Sequence, residues 1–196
     1  MRYFILLPLF LLLFSCRKED RVTPSVPELP PLETANYRTY TIEKGAHSST
    51  IGFRIFSEDK MAFKALFDSS AVYTTVDPKN KFDINKLFGF SDCNSLHQEN
   101  SARFGWRWGN NALQIFAYCY SNGERTDTLI KSVSIGEPHD FTILVFPDKY
   151  TFTVDSVSVD MKRGCATEKA SGYFLYPYFG GDETAPHKIQ VKIDEE

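Results

Sequence analysis

Apolar and polar residues alternate with a period of two through several long stretches of this chain. From Ala102 to Trp108 the order is Ala-Arg-Phe-Gly-Trp-Arg-Trp, Gly109-Asn110-Asn111 interrupts it, and alternation resumes from Ala112 to Tyr120. Alternation on both sides of a short polar break predicts a β-hairpin, with Asn110 and Asn111 as a two-residue turn at positive φ, a conformation Asn tolerates. That turn sets Trp108 opposite Leu113, Trp106 opposite Ile115 and Phe104 opposite Ala117, so one face is wholly apolar and belongs to a core. The other face carries Arg107 opposite Gln114, Gly105 opposite Phe116, Arg103 opposite Tyr118 and Ser101 opposite Tyr120, with Gly105 expected to leave a dip. A three-residue turn would shift the pairing by one and mix the two faces.

The same logic applies further on, where Phe141, Ile143 and Val145 meet Tyr150, Phe152 and Val154 across a Pro147-Asp148 turn. Beyond Asp155-Ser156, Val157, Val159 and Met161 fall on that same side. Three strands sharing one apolar face is a result that a period of 3.6 cannot give. Composition agrees, since 17 Phe and 10 Tyr against 3 Met and 2 Trp suit pleated sheet better than helix. The expected class is all-β. With 42% hydrophobic and 24% charged residues in 196, the chain is too apolar to be disordered and is sized for one core. Its 22 basic side chains against 25 acidic ones leave no cationic excess to neutralise a phosphate backbone, so nucleic acid is not an expected partner.

The N-terminus carries an address. Met1-Arg2 precedes an apolar run from Tyr3 to Phe14, then Ser15-Cys16 and the charged Arg17-Lys18-Glu19-Asp20. The run is too short to span a bilayer but matches the apolar region of a signal peptide. Leu13-Phe14-Ser15-Cys16 resembles a bacterial lipobox, which implies a signal peptide over residues 1–15 and lipidation of Cys16. Lys18-Glu19-Asp20 is similar to the export signal that sends lipoproteins of Bacteroidota-type bacteria to the outer face of the outer membrane, so the expected location is the cell surface, held by lipid alone. Pro24, Pro27, Pro30 and Pro31 make residues 16–36 an expected extended tether. The folded domain is then residues 37–196, without internal repeat.

Ser134 to Met161, with its strand, turn and Tyr150-Thr-Phe-Thr-Val-Asp155 strand, resembles the central meander of concanavalin A-like jelly rolls. The stretch from Tyr173 to Ile193 resembles their closing loop and strand. The resemblance implies a two-sheet antiparallel jelly-roll sandwich with a concave face that often binds sugar. Members of family 16 of the glucanases place two carboxylates on a Glu-x-Asp-x-x-Glu strand, because retention needs a nucleophile and an acid close together. No stretch here matches it. Alginate-lyase-type jelly rolls carry Arg-x-x-x-Arg, Gln-Ile-His and Tyr-Phe-Lys-Ala-Gly strands, and this chain has Arg103-Phe-Gly-Trp-Arg107, Gln114-Ile115-Phe116 and Tyr173-Phe174-Leu175 in that order. Phe116 stands where the family has its His, which argues against lyase chemistry while leaving room for an acidic-sugar site.

The candidate ligand-binding set is Arg103, Arg107, Gln114, Tyr118, Tyr120 and His97. Rings stack on sugars, and Arg and Gln meet hydroxyls or carboxylates. His97 enters because the polar loop from Gly89 leads into the Arg103 strand, with Asp92 and Asn94 as rim or turn residues. Neither His47, His139 nor His187 shows metal-ligand spacing. No cofactor is expected, with a Ca²⁺ at Asp182 as the one candidate metal. Cys119 points to the apolar face and should be an inert core thiol, and Cys93 and Cys165 are candidates for a disulfide. The expected function is a surface lipoprotein binding a poly- or oligosaccharide without cleaving it. Two alternatives stay open, a polysaccharide lyase acting on an anionic glycan and a structural or protein-binding adhesion module.

Overall fold

The computed structural model describes residues 36–49 and 52–195. The signal peptide, Cys16 and nearly all of the tether lie outside the described residues. No helix among the described residues is long and apolar enough to cross a membrane.

The chain forms twelve strands: β1 (Arg38–Ile42), β2 (Ile55–Phe56), β3 (Lys60–Phe67), β4 (Asn85–Ser91), β5 (Ser101–Gly109), β6 (Ala112–Ser121), β7 (Glu124–Val133), β8 (Pro138–Val145), β9 (Lys149–Val154), β10 (Val157–Lys162), β11 (Gly172–Leu175) and β12 (Ile189–Glu195). Two short 3-10 turns, Ser69–Ala71 and Pro78–Phe82, lie between β3 and β4. The strands build two six-stranded sheets, in the orders β1-β12-β3-β8-β9-β10 and β2-β11-β4-β5-β6-β7. All strand pairings are antiparallel. The fold is the jelly-roll sandwich that the alternation and the meander imply.

The central hairpin has the expected register: Arg103 pairs with Tyr118, Gly105 with Phe116 and Arg107 with Gln114. Asn110 and Asn111 turn it at φ 55° and 56°. Its inner face is the middle of the core. Phe104 meets Phe63, Phe141 and Phe152 of the opposite sheet with ring centroids 5.7, 5.0 and 5.0 Å apart and near-perpendicular planes. Such edge-to-face contacts stabilise beyond the area they bury. Trp106 is also fully buried, against Phe67, Tyr73 and Phe179. Cys119 is buried in the same layer, and burial pushes its thiol well above the ordinary range.

The second meander pairs Phe141 with Val154, Ile143 with Phe152 and Val145 with Tyr150, as expected. Its shared apolar face fades at the end. Met161 is buried, but Val157 is 38% exposed, because β10 is the edge strand and no neighbour lies beyond it.

Candidate functional site

The outer face of the second sheet is built by three local devices. The hairpin register turns Arg103, Tyr118 and Tyr120 outward. A glycine makes room for the first of them, since a Cβ on Gly89 would lie 2.3 Å from the Arg103 Cβ. The third device is a register shift in β4 between Lys86 and Gly89, of the bulge kind that re-aims side chains. Lys86 thereby joins the outer face beside Tyr118, its Nζ 5.2 Å from that ring's centroid and 5.8 Å from that of Tyr178. Tyr178 arrives from the segment before β12 through backbone hydrogen bonds with Lys86 in both directions. Together with His97, Gln98 and the Gly180-Gly181 backbone these residues enclose a cleft of about 280 Å³.

The wall bearing His97 is rigidly fastened. Cys93 and Cys165 form a disulfide with a Cα separation of 5.9 Å. Next to it, Asp92 is fully buried and accepts hydrogen bonds from Arg163 Nε at 2.8 Å, Tyr150 Oη at 2.6 Å and the Ser171 backbone at 2.9 Å. Burial, and then the Asp92 carboxylate beside the Tyr150 hydroxyl, hold that phenol well above its usual range. Asp92 is therefore a structural anchor and not a rim residue, because Arg163 claims it from the far side of the disulfide. The metal-like grouping of Asp92, Cys93 and Cys165 has both sulfurs consumed in the disulfide. His97 itself lies with Nδ1 3.0 Å from the Tyr173 hydroxyl, and burial, then Arg103, lowers its pKa, keeping it neutral near pH 7.

The surface of the cleft carries cations, while an acid, Asp83, lies behind Gly181, where a Cβ would be 2.9 Å from its Oδ2, and opposes the lowering of the Lys86 pKa. The lining itself holds two cations and no carboxylate. Arg103 is only 8% exposed, its Nε has no hydrogen-bond partner, and among the described residues no carboxylate makes a salt bridge with it. Its guanidinium carbon lies 5.2 Å from the centroid of the Tyr118 ring. A buried guanidinium without a counter-charge is costly, and desolvation accordingly lowers its pKa. Lys86 donates to the Gly180 carbonyl at 2.8 Å. Burial, then the charge of Arg103, pulls its amine down to about 8. Tyr118 is shifted up by burial and by its neighbour Tyr120.

The six sequence-derived residues therefore separate. Arg103, Tyr118, Tyr120 and His97 meet in the cleft. Arg107 and Gln114 do not: Arg107 Nε donates to Gln114 Oε1 at 2.8 Å and its NH1 to the Phe82 carbonyl at 3.1 Å, at the end of the second 3-10 turn. The dip expected at Gly105 is filled by Ile84, whose Cγ2 would lie 2.3 Å from a Cβ there. Ile84 packs with Phe116 and Tyr118 into a small second core. The Ca²⁺ expectation at Asp182 finds no support. That side chain is exposed and belongs to no cluster of ligating groups among the described residues, while Glu183 next to it receives the backbone N–H groups of Val76 and Asp77. His47, His139 and His187 are each tied to a backbone carbonyl. Sequence reasoning missed Lys86 and Tyr178. The available signal for Lys86 was a cation at the head of the apolar run Leu87-Phe88-Gly89-Phe90.

A double sheet of this order is a jelly-roll sandwich. No protein-family model matches the chain, and no curated protein sequence matches it. Solved structures do. The alginate lyase vAL-1 from Chlorella virus aligns over 86% of each chain at a TM-score of 0.53 and 11% identity. The alginate lyase AlyC3 aligns over 82% of this chain and 74% of its own, with TM-score 0.54 and 10% identity. A family 16 glycoside hydrolase of Bacteroides ovatus, from a mixed-linkage glucan locus, aligns over 83% and 80%, with TM-score 0.51 and 10% identity. At these identities the likeness is one of fold.

Proposed function

We propose that the cleft binds an acidic, uronate-containing polysaccharide and cleaves it by β-elimination. The observation that carries the reading is Arg103, buried and unpartnered beside Lys86 in a cleft without a carboxylate. A sugar carboxylate is the group that would supply the missing counter-charge, in the paired geometry that guanidinium favours. Hydrolysis by a carboxylate pair needs two acids facing the glycosidic bond, and the lining offers none. Elimination needs other things: neutralisation of the uronate carboxylate so that the C5 proton becomes acidic, a group to take that proton, and a group to protonate the departing O4. Arg103 meets the first need. Lys86, with its amine at about 8, and the phenols of Tyr118 and Tyr120 are the groups available for the others, so that the chemistry need not rest on a histidine at the position of Phe116. Two of the structurally similar proteins are alginate lyases by name, which is consistent with this chemistry. A lipid anchor at Cys16 would hold such a domain at the cell surface, within reach of external polymer.

One observation favours a second reading, binding without cleavage: burial raises the Tyr118 phenol, away from what a base at neutral pH requires. The deciding experiment incubates the protein with alginate, glucuronan and polygalacturonate, follows the ultraviolet absorbance of unsaturated uronate, and measures binding by calorimetry. Elimination predicts absorbance with one of these polymers, lost in Arg103→Ala. Binding without absorbance selects the second reading, and no binding to any acidic polymer rejects both.

A further inference from the structure

A second cavity, of about 350 Å³, opens at the hairpin end of the same sheet. It is lined by Tyr73, Lys81, Trp108, Asn110 and Asn111, with Thr74 and Thr75 completing it. Trp108 and Tyr73, each packed in part against the core, supply aromatic wall, two amides and two hydroxyls offer directional hydrogen bonds, and one ammonium offers charge. This is the mixture that recognises a sugar ring bearing an acid. Lys81 is exposed, and among the described residues no carboxylate makes a salt bridge with it.

The cavity adjoins the covered half of the outer face, since a Cβ on Gly109 would lie 3.7 Å from Arg107 Nε. Between it and the cleft stands Phe82, 70% exposed although large and apolar. The Arg107 guanidinium lies 5.5 Å and the Lys81 ammonium 5.9 Å from the centroid of its ring. Nothing in the packing of the core calls for an exposed ring at this point. From Arg103 to Gly109 the strand advances about 20 Å at roughly 3.3 Å per residue, a span that only a chain of several sugars bridges.

We infer that the Trp108–Lys81 cavity is a distal subsite for the same acidic polysaccharide, whose chain leaves the Arg103 cleft, crosses the Phe82 ring and places an outlying uronate at Lys81. The inference rests on the acidic-sugar reading of the cleft. It makes the protein a reader of polymer length, because short oligomers fill the cleft alone while longer ones gain the second site through the high effective concentration of a tethered ligand.

The test uses size-fractionated oligomers of whichever uronate polymer binds, comparing trimers with octamers in the wild-type protein, Lys81→Glu and Phe82→Ala. Both substituted side chains are exposed, so the fold should be retained, which thermal melting verifies. The wild type is expected to bind octamers about tenfold more tightly than trimers, and each variant to lose most of that gain with trimer affinity unchanged. Equal affinity of trimer and octamer for the wild type overturns the distal site and leaves the cleft reading standing, as does a variant effect of equal size on both lengths. Failure of every oligomer, trimers included, overturns the cleft reading and this inference with it.

Discussion

Arg103 and Arg163 are both buried arginines, and their surroundings are opposite. Arg163 has its side chain fully shielded with Asp92 and hands its donors to that carboxylate, to the carbonyls of Phe146 and Lys169 and to Thr167. Arg103 is nearly as shielded, yet its neighbours are Tyr118, Lys86 and His97, and its Nε has no acceptor. The first arrangement completes itself within the chain. The second is left incomplete among the described residues, so that burial alone does not separate the two arginines and the count of partners does.

The sharpest way to break this contrast is to remove the acid from the completed pair. Asp92→Asn leaves Arg163 buried without its counter-charge and should destabilise the fold by about 3–5 kcal/mol, read as a lowered denaturation midpoint. A loss under about 1 kcal/mol would mean that the carbonyls suffice for Arg163. The complementary change, Arg103→Leu, removes a charge that nothing in the chain balances. Stability should stay level or rise by about 1 kcal/mol, while affinity for an acidic polymer falls. A large loss of stability would show that Arg103 is a structural residue after all.

The smallest effect lies with Lys86. Its amine in the folded protein, at about 8, is below that of an unfolded lysine, at 10.5, so the native state releases its proton first. The strain of burying the charge is present below about pH 8 and is relieved as pH rises toward 10.5. Ligand-free stability should therefore rise by about 1 kcal/mol across that window, allowing for partial solvent screening. Lys86→Met should lack this rise, and denaturation at pH 7.5 and pH 10 compares the two directly. Acidic-polymer affinity of the wild type should weaken over the same interval, as the ammonium is lost.

The fold was legible where neighbouring residues carry the information. The Asn110-Asn111 turn and the two-residue alternation set the hairpin register, and through it the outward placement of Arg103, Tyr118 and Tyr120. What could not be read depends on distant chain. Lys86 faces the cleft only because of the irregularity in β4, Tyr178 only because its segment bridges back to Lys86, and Asp92 is internal only because Arg163, far along the sequence, meets it. Arg107 and Gln114 share the face that alternation assigned them, but Ile84 and Phe82 cover that half of it. Periodicity says which way a side chain points and is silent on what lies across from it.

The disulfide between Cys93 and Cys165 gives the chain the topology of a ring with two arms. The ring contains β5 to β10 and carries Arg103, Tyr118 and Tyr120, while Lys86 belongs to one arm and Tyr178 to the other. A single proteolytic nick anywhere within the ring leaves every part of the cleft on one covalently connected molecule, whereas a nick between Lys86 and Cys93, or between Cys165 and Tyr178, detaches a cleft residue from the rest. The loops of the ring are therefore the places where a cut in the chain is best survived.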